Sequence, residues 1–166
     1  MTVPFQPQRI VAAIAKHRVK CVLIGGLGAV LHGSPATTND ADLCPDRSPA
    51  NLTRLATMLR SLKARVRTDG VEDGLPFDCS AEFFANVELI NLVTNAGDVD
   101  IAFRPAGSNG YPELITRSVA FDIDGHSLQV ASLDDIIRSK EVANRPKDRA
   151  VLPILLALRE EISQRE

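Results

Sequence analysis

Apolar residues recur along this chain with two different periods, and the changes between those periods mark out its elements. Between Pro7 and Val19 they fall at Ile10, Val11, Ile14 and Ala15, which is helical spacing. Lys20 to Ile24 is a short apolar run and predicts a buried strand. Gly26 to His32 reads as a helix, stopped by Gly33 and Pro35. Asp40 to Leu43 predicts a second strand, ended by Pro45. Ser48-Pro49 opens a longer helix, with Pro near its first position and an apolar face of Leu52, Leu55, Ala56, Leu59 and Leu62.

Lys63 to Arg67 alternates basic with apolar residues, as an edge strand would. Asp69 to Cys79 is rich in Gly, Pro and Asp and predicts a loop, followed by a helical turn or two over Ser80 to Ala85. Two hairpins come next. Val87–Thr94 and Asp98–Phe103 flank Asn95-Ala96-Gly97, and Val119–Ile123 and Ser127–Ala131 flank Asp124-Gly125. A short helix is expected between them, over Tyr111 to Arg117. Ser132 with Asp134 and Asp135 has the form of an N-cap with an acidic first turn, opening a helix to Ala143. A last helix starts at Pro146 and carries Leu152, Leu155, Leu156 and Leu158. The pattern predicts an α/β (α+β) fold, a mixed β-sheet of five or six strands flanked by helices. Residues 1–166 are expected to form a single domain in which 132–166 is a C-terminal helical part.

Composition narrows the chemistry by exclusion. The 166 residues are 45% hydrophobic and 24% charged, as in a soluble globular protein, and the net charge of −2 gives no overall attraction to nucleic acid or anionic membranes. Cys21, Cys44 and Cys79 form neither a CxxC pair nor an even disulfide set, which suits a reducing cytoplasm. No stretch approaches the ~18 apolar residues of a membrane span, so no membrane partner is expected.

The chemistry concentrates between Cys21 and Leu43. Asp40 and Asp42 are one residue apart in a strand and therefore share a face. Two carboxylates so placed repel one another, and a divalent cation is the usual reason to keep them. Upstream, Gly25-Gly26 ends the first strand, and a glycine turn opening a helix lets phosphate approach the backbone. Phosphate at one end and metal at the other is what a nucleoside triphosphate with Mg²⁺ or Mn²⁺ requires. Asp100, a charge inside the apolar run Val99–Phe103, is the expected third ligand and candidate general base. Asp98 shares its face and competes for the place, but the adjacent turn makes it the more exposed of the two.

Further candidates are less distinctive. Arg138, Lys140, Arg145, Lys147 and Arg149 form a basic run that reads equally as a solvated helix end or as a phosphate clamp around Lys140. Thr37 and Thr38 precede the aspartates and could bond phosphate oxygens or simply form a turn. His17, His32 and His126 lack ligand spacing and are read as structural. Cys44 shares the face of Asp42 without a catalytic role. Arg60, Lys63, Arg65 and Arg67 are read as a solvated basic strip. There is no GxxxxGK phosphate loop and no complete dinucleotide fingerprint.

Taken together, Gly25-Gly26, a helix, Asp40-Ala41-Asp42 and a third Asp100 resemble the nucleotidyltransferase superfamily that includes DNA polymerase β and the antibiotic nucleotidyltransferases. More narrowly, Lys140 followed by Lys147-Asp148-Arg149 is similar to the AbiEii-like group of bacterial nucleotidyltransferases. The resemblance spans residues 20 to 158 and implies a nucleotidyltransferase fold. It also implies metal-dependent transfer of a nucleoside monophosphate from an NTP to an acceptor, with release of pyrophosphate. Members that act as toxins of type IV toxin–antitoxin pairs modify tRNA ends, so the implied partners are an NTP, a tRNA or protein acceptor, and a cognate antitoxin. Carried over by residue, Asp40, Asp42 and Asp100 would bind metal and Gly25 and Gly26 would approach the phosphates. Lys140 would neutralise phosphate charge, and Asp148 would orient it or complete the site. Superfamily members often carry Ser where this chain has Gly26. Two alternatives stand beside this reading. One is an antibiotic-modifying enzyme, with Glu72, Asp73, Asp78 and Glu82 as an acidic pocket for a cationic aminoglycoside. The other is a non-catalytic nucleotide-binding regulator or antitoxin.

Overall fold

The computed structural model describes residues 3–166. The elements run α1 (Pro7–Lys16), β1 (Cys21–Ile24), α2 (Gly25–Leu31), β2 (Asp40–Pro45), α3 (Pro49–Ser61), β3 (Arg65–Thr68), β4 (Val71–Leu75), α4 (Ala81–Ala85), β5 (Leu89–Thr94), β6 (Gly97–Ala102), α5 (Tyr111–Leu114, continued by a tighter turn over Ile115–Arg117), β7 (Val119–Ile123), β8 (His126–Val130), α6 (Leu133–Ala143) and α7 (Pro146–Arg165). The strands form one mixed sheet in the order β4-β3-β5-β6-β2-β1-β8-β7. Its two central strands, β6 and β2, are parallel, and β2 is antiparallel to β1.

Period-two alternation divides the core between the two faces of this sheet. Leu23 of β1, Ala41 and Leu43 of β2, and Val99 and Ile101 of β6 join one cluster with Ile10 and Ile14 of α1, Leu55 and Leu59 of α3, and Phe84 of α4. Val22 and Cys44, their neighbours on the opposite face, join a second cluster with Ala29 of α2, Leu114 of α5, Ile136 and Ile137 of α6, and Leu155 of α7. Strand β2 is thus anchored by its odd positions, which leaves Asp40 and Asp42 on the face that α6 and α7 cover only in part.

Three sequence expectations need correction. The sheet has eight strands, not five or six, and Val71–Leu75 is a strand where the Gly, Pro and Asp content predicts a loop. Little apolar burial holds β4: only Gly74 in it is buried. It stays because it pairs with β3, and because the Arg65 guanidinium donates to the carbonyls of Asp73 and Gly74 at 2.9 and 3.2 Å. Strand β3 consequently lies inside the sheet, between β4 and β5, rather than at its edge. The two predicted hairpins, β5–β6 and β7–β8, form as expected, and Gly97 takes the positive φ (106°) that its turn requires.

Candidate active site

The parallel register of β2 and β6 sets Asp40 beside Asp98 and Asp42 beside Asp100. All four side chains therefore leave the same face. Among the described residues, Asp40, Asp42 and Asp100 each offer a carboxylate oxygen, and these oxygens lie within 4.8 Å of one another, close enough to share a metal ion. Asp98 stands outside that group, and it shares with Asp100 an ion pair to Arg67, its own at 2.9 Å. Of the two aspartates of β6, Asp100 is the one whose carboxylate lies with Asp40 and Asp42.

Gly25 sits against this group and lines the cleft beside it. It begins α2 with φ 67°, and a Cβ placed on it would meet Asp42 Oδ2 at 2.0 Å. No other residue type leaves room for that carboxylate against the turn. Gly26 also lines the cleft, with the Thr38 hydroxyl packed 3.1 Å from where its Cβ would stand. That hydroxyl donates to the Asp40 carbonyl at 3.2 Å, so Thr38 supports the strand that carries the ligands, while Thr37 faces the cleft.

The opposite wall comes from the junction of α6 and α7. Asn144 ends α6 in the left-handed conformation, and Pro146 starts α7 one residue after Arg145. Asp148, in the first turn of α7, has no exposed surface. It accepts the Arg145 backbone N–H at 3.1 Å and the Arg145 guanidinium at 2.7 and 3.2 Å, and Lys140 Nζ lies 3.7 Å away. Asp148 therefore stands apart from the three carboxylates and holds two cations on the wall facing them. The intervening cleft has a volume of about 650 Å³ and is lined by Gly25, Gly26, Asp40, Asp42, Asp100, Arg67, Lys140, Arg145 and Lys147, among others.

Electrostatics separate the two walls. Burial, then the charges of Asp40 and Asp100, push the Asp42 carboxyl up to about 7 against the pull of Lys140. Burial also lifts Asp100, to about 6, with Arg67 opposing and Asp40 adding to the rise. Asp148 behaves in the opposite way. Burial works to raise it, but the hydrogen bonds and charge of Arg145, helped by Lys140, leave it below the ordinary carboxylate value. Three hard oxygen donors so close form a set that could hold a divalent metal ion.

Arg67 is the residue that sequence reasoning misplaced. Read as part of a solvated strip, it reaches across β5 to place Nη1 on Asp98 and Nη2 on Asp100, at 2.9 and 2.5 Å. Its position follows from the register of β3, β5 and β6 together, which no local pattern encodes. The rest of that strip is turned elsewhere, with Arg60 on the Cys79 carbonyl and Arg65 on β4. The basic run also divides: Lys140, Arg145 and Lys147 face the cleft, Arg138 lies near Glu113 and Asp135, and Arg149 caps the Asn144 carbonyl. None of Glu72, Asp73, Asp78 and Glu82 lines the cleft, so the acidic pocket expected from them does not form there. His32 bonds the Ala131 carbonyl through Nε2 at 2.8 Å and meets Phe121 edge-on, a packing role as expected. Cys44 lies fully buried, and burial pushes its thiol up to about 12.

No protein-family model matches the chain, and no curated protein sequence matches it. Solved structures do. The lincosamide antibiotic adenylyltransferase LnuA, bound to lincomycin, aligns over 95% of this chain and 99% of its own, with TM-score 0.62 and 11% identity. A Thermotoga maritima protein assigned as a nucleotidyltransferase aligns over 91% of this chain and 90% of its own, with TM-score 0.56 and 15% identity. The chain has a nucleotidyltransferase fold. ANT(2″)-Ia in complex with adenylyl-2″-tobramycin shares it over 96% of this chain and 95% of its own, with TM-score 0.51 and 15% identity. Within this nucleotidyltransferase fold, the three clustered carboxylates lie on the central strands β2 and β6. Among the described residues no helix is long and apolar enough to cross a membrane.

Proposed function

We propose that this protein is a nucleotidyltransferase, which joins the NMP part of an NTP to an acceptor hydroxyl and releases pyrophosphate. One observation carries the reading. Three carboxylates converge within 4.8 Å at the floor of a cleft, and the facing wall presents Lys140, Arg145 and Lys147. Anionic phosphates fit between those cations and a metal-bearing floor. Mg²⁺ or Mn²⁺ held by Asp40, Asp42 and Asp100 would supply the charge neutralisation that a triphosphate and its leaving pyrophosphate need.

This chain's own groups divide the remaining work. Asp100, at the edge of the cluster nearest the acceptor side of the cleft, accepts the proton of the attacking hydroxyl. Lys140 and Arg145 bind the phosphates and favour pyrophosphate departure. Asp148, through its contacts with both, fixes their direction. Gly25 lets Asp42 close on the turn. Beyond Asp100, β6 and its neighbour β5 extend the floor to Ala102, Asn91 and Leu89, the last 62% exposed, where an acceptor would lie.

For the acceptor we propose a tRNA or protein end, modified as by AbiEii-like toxins that are paired with an antitoxin. Supporting this is the presence of Arg104 and Lys147 on the lining of the cleft. An antibiotic acceptor is the second reading, favoured by the likeness to LnuA and ANT(2″)-Ia. Glu72, Asp73, Asp78 and Glu82 lie outside the cleft, but Glu88 lines it, so both a lincosamide and an aminoglycoside are tested. Incubation of the protein with each α-³²P-labelled NTP, Mg²⁺ and, separately, total tRNA, cell protein, lincomycin or tobramycin tests the proposal. Label transferred to one acceptor class, and lost with Asp42→Asn, is expected. No metal-dependent transfer to any class, with no pyrophosphate released, would leave the non-catalytic regulator as the better reading.

A further inference from the structure

Arg67 bridges two carboxylates of one strand, Asp98 and Asp100, and only the second belongs to the clustered triad. The guanidinium is one-third exposed and Asp100 is 13% exposed, so this contact lies at the inner edge of the cleft rather than on open surface. The fork spans the strand from across β5, with one nitrogen on each carboxylate. A guanidinium fork held at both ends keeps its direction well, because its donors are rigidly arranged. Three carboxylates held together without a counter-charge would repel one another, and Arg67 is the cation in direct ion-pair contact with one of them.

We infer that Arg67 is a built-in counter-cation and positioning residue: it occupies Asp100 until a divalent ion arrives and then withdraws onto Asp98. Asp98 is what makes the exchange easy. It gives Arg67 a carboxylate partner before and after, so releasing Asp100 strands no charge. Arg67 therefore competes with the divalent ion for Asp100, and Asp98 weakens that competition. The inference rests on the metal reading of the triad and adds a rival cation to it.

The consequence is a pair of substitutions with opposite signs. Arg67→Gln removes the competitor, and Mn²⁺ affinity, measured without nucleotide by calorimetry and by loss of the free Mn²⁺ paramagnetic resonance signal, rises about fivefold, the scale of a partly exposed ion pair. Asp98→Asn removes the alternative partner, leaves Arg67 on Asp100, and lowers Mn²⁺ affinity by a similar factor. In the Arg67→Gln background, Asp98→Asn changes little. Arg67→Lys, which keeps the charge, restores the wild-type affinity to within about twofold.

If Arg67 merely braced the sheet, both single substitutions would weaken Mn²⁺ binding, and that result overturns the inference. If Asp98 acted only by long-range attraction, its substitution would weaken binding equally with and without Arg67, which overturns it too. Should Arg67→Gln not fold, as judged by circular dichroism, Asp98→Asn alone decides: unchanged or tighter binding contradicts the exchange. A wild-type protein that binds no Mn²⁺ at all would overturn the metal reading itself and the inference with it.

Discussion

Asp42 and Asp148 face one another across the cleft, two substantially buried carboxylates with opposite fates. Asp148 has a backbone N–H, a guanidinium and an ammonium around it, and its carboxyl is held below the ordinary value. Asp42 has two further carboxylates as its near neighbours, and burial with their charge lifts it to about 7. Burial alone does not distinguish structure from function. What does is whether the neighbours complete the charge: Asp148 is complete within the chain, while Asp42 is short of a cation that the chain supplies only in part. The first is satisfied by Lys140 and Arg145, and the second keeps charge that a bound cation would complete.

The sharpest way to break this contrast is to remove each carboxylate in turn. Asp148→Ala strips two cations and a helix N-terminus of their shared partner and should cost about 2–3 kcal/mol in urea unfolding. Asp42→Asn should do the reverse in metal-free protein, raising stability by about 1 kcal/mol at pH 8 through relief of repulsion, while abolishing transfer. If both substitutions destabilised the fold alike, the contrast would be lost.

Acidity gives a second handle, with opposite signs for the two sites. The carboxyls of Asp42 and Asp100 are raised in the folded state, so they favour folding when protonated, and that contribution fades as pH rises from the ordinary 3.8 through about 6 and about 7. Metal-free wild type should therefore lose stability between about pH 5 and pH 8, relative to Asp42→Asn, by about 1 kcal/mol. Saturating Mg²⁺ should abolish the loss, because it stabilises the ionised carboxylates. Asp148, held low, contributes stability at neutral pH that disappears only as acid brings the pH down through its depressed value. A stability curve in which metal-free wild type gains over Asp42→Asn across that rise would reverse the assignment.

The smallest expected effect separates the two basic strips. Lys140→Ala should weaken binding of a non-hydrolysable NTP about tenfold, whereas Arg65→Ala, whose guanidinium is committed to the carbonyls of β4, should leave it nearly unchanged. Equal losses in calorimetric titration would remove Lys140 from the phosphate wall.

Much of this was legible in the order of residues. Period-two spacing put Asp40 and Asp42 on one face, and a charge inside Val99–Phe103 singled out Asp100. The two hairpins were marked by their turn residues. Other features depend on contacts between distant segments. Gly25 was readable as a turn, but the Asp42 carboxylate standing where its Cβ would be exists only when β1 and β2 pair. Strand β4 has almost no buried side chain of its own, so no hydrophobic pattern announces it. Arg67 required three strand registers at once, and Asp148 required the α6–α7 junction to fold back over the sheet.

The central claim is that Asp40, Asp42 and Asp100 share a divalent ion. Anomalous scattering from crystals grown with Mn²⁺ and a non-hydrolysable NTP tests it most directly. A manganese peak within coordination distance of all three carboxylates, with phosphates towards Lys140 and Arg145, is the predicted result. A fully bound nucleotide with no manganese between those carboxylates, or with manganese ligated elsewhere, would contradict it.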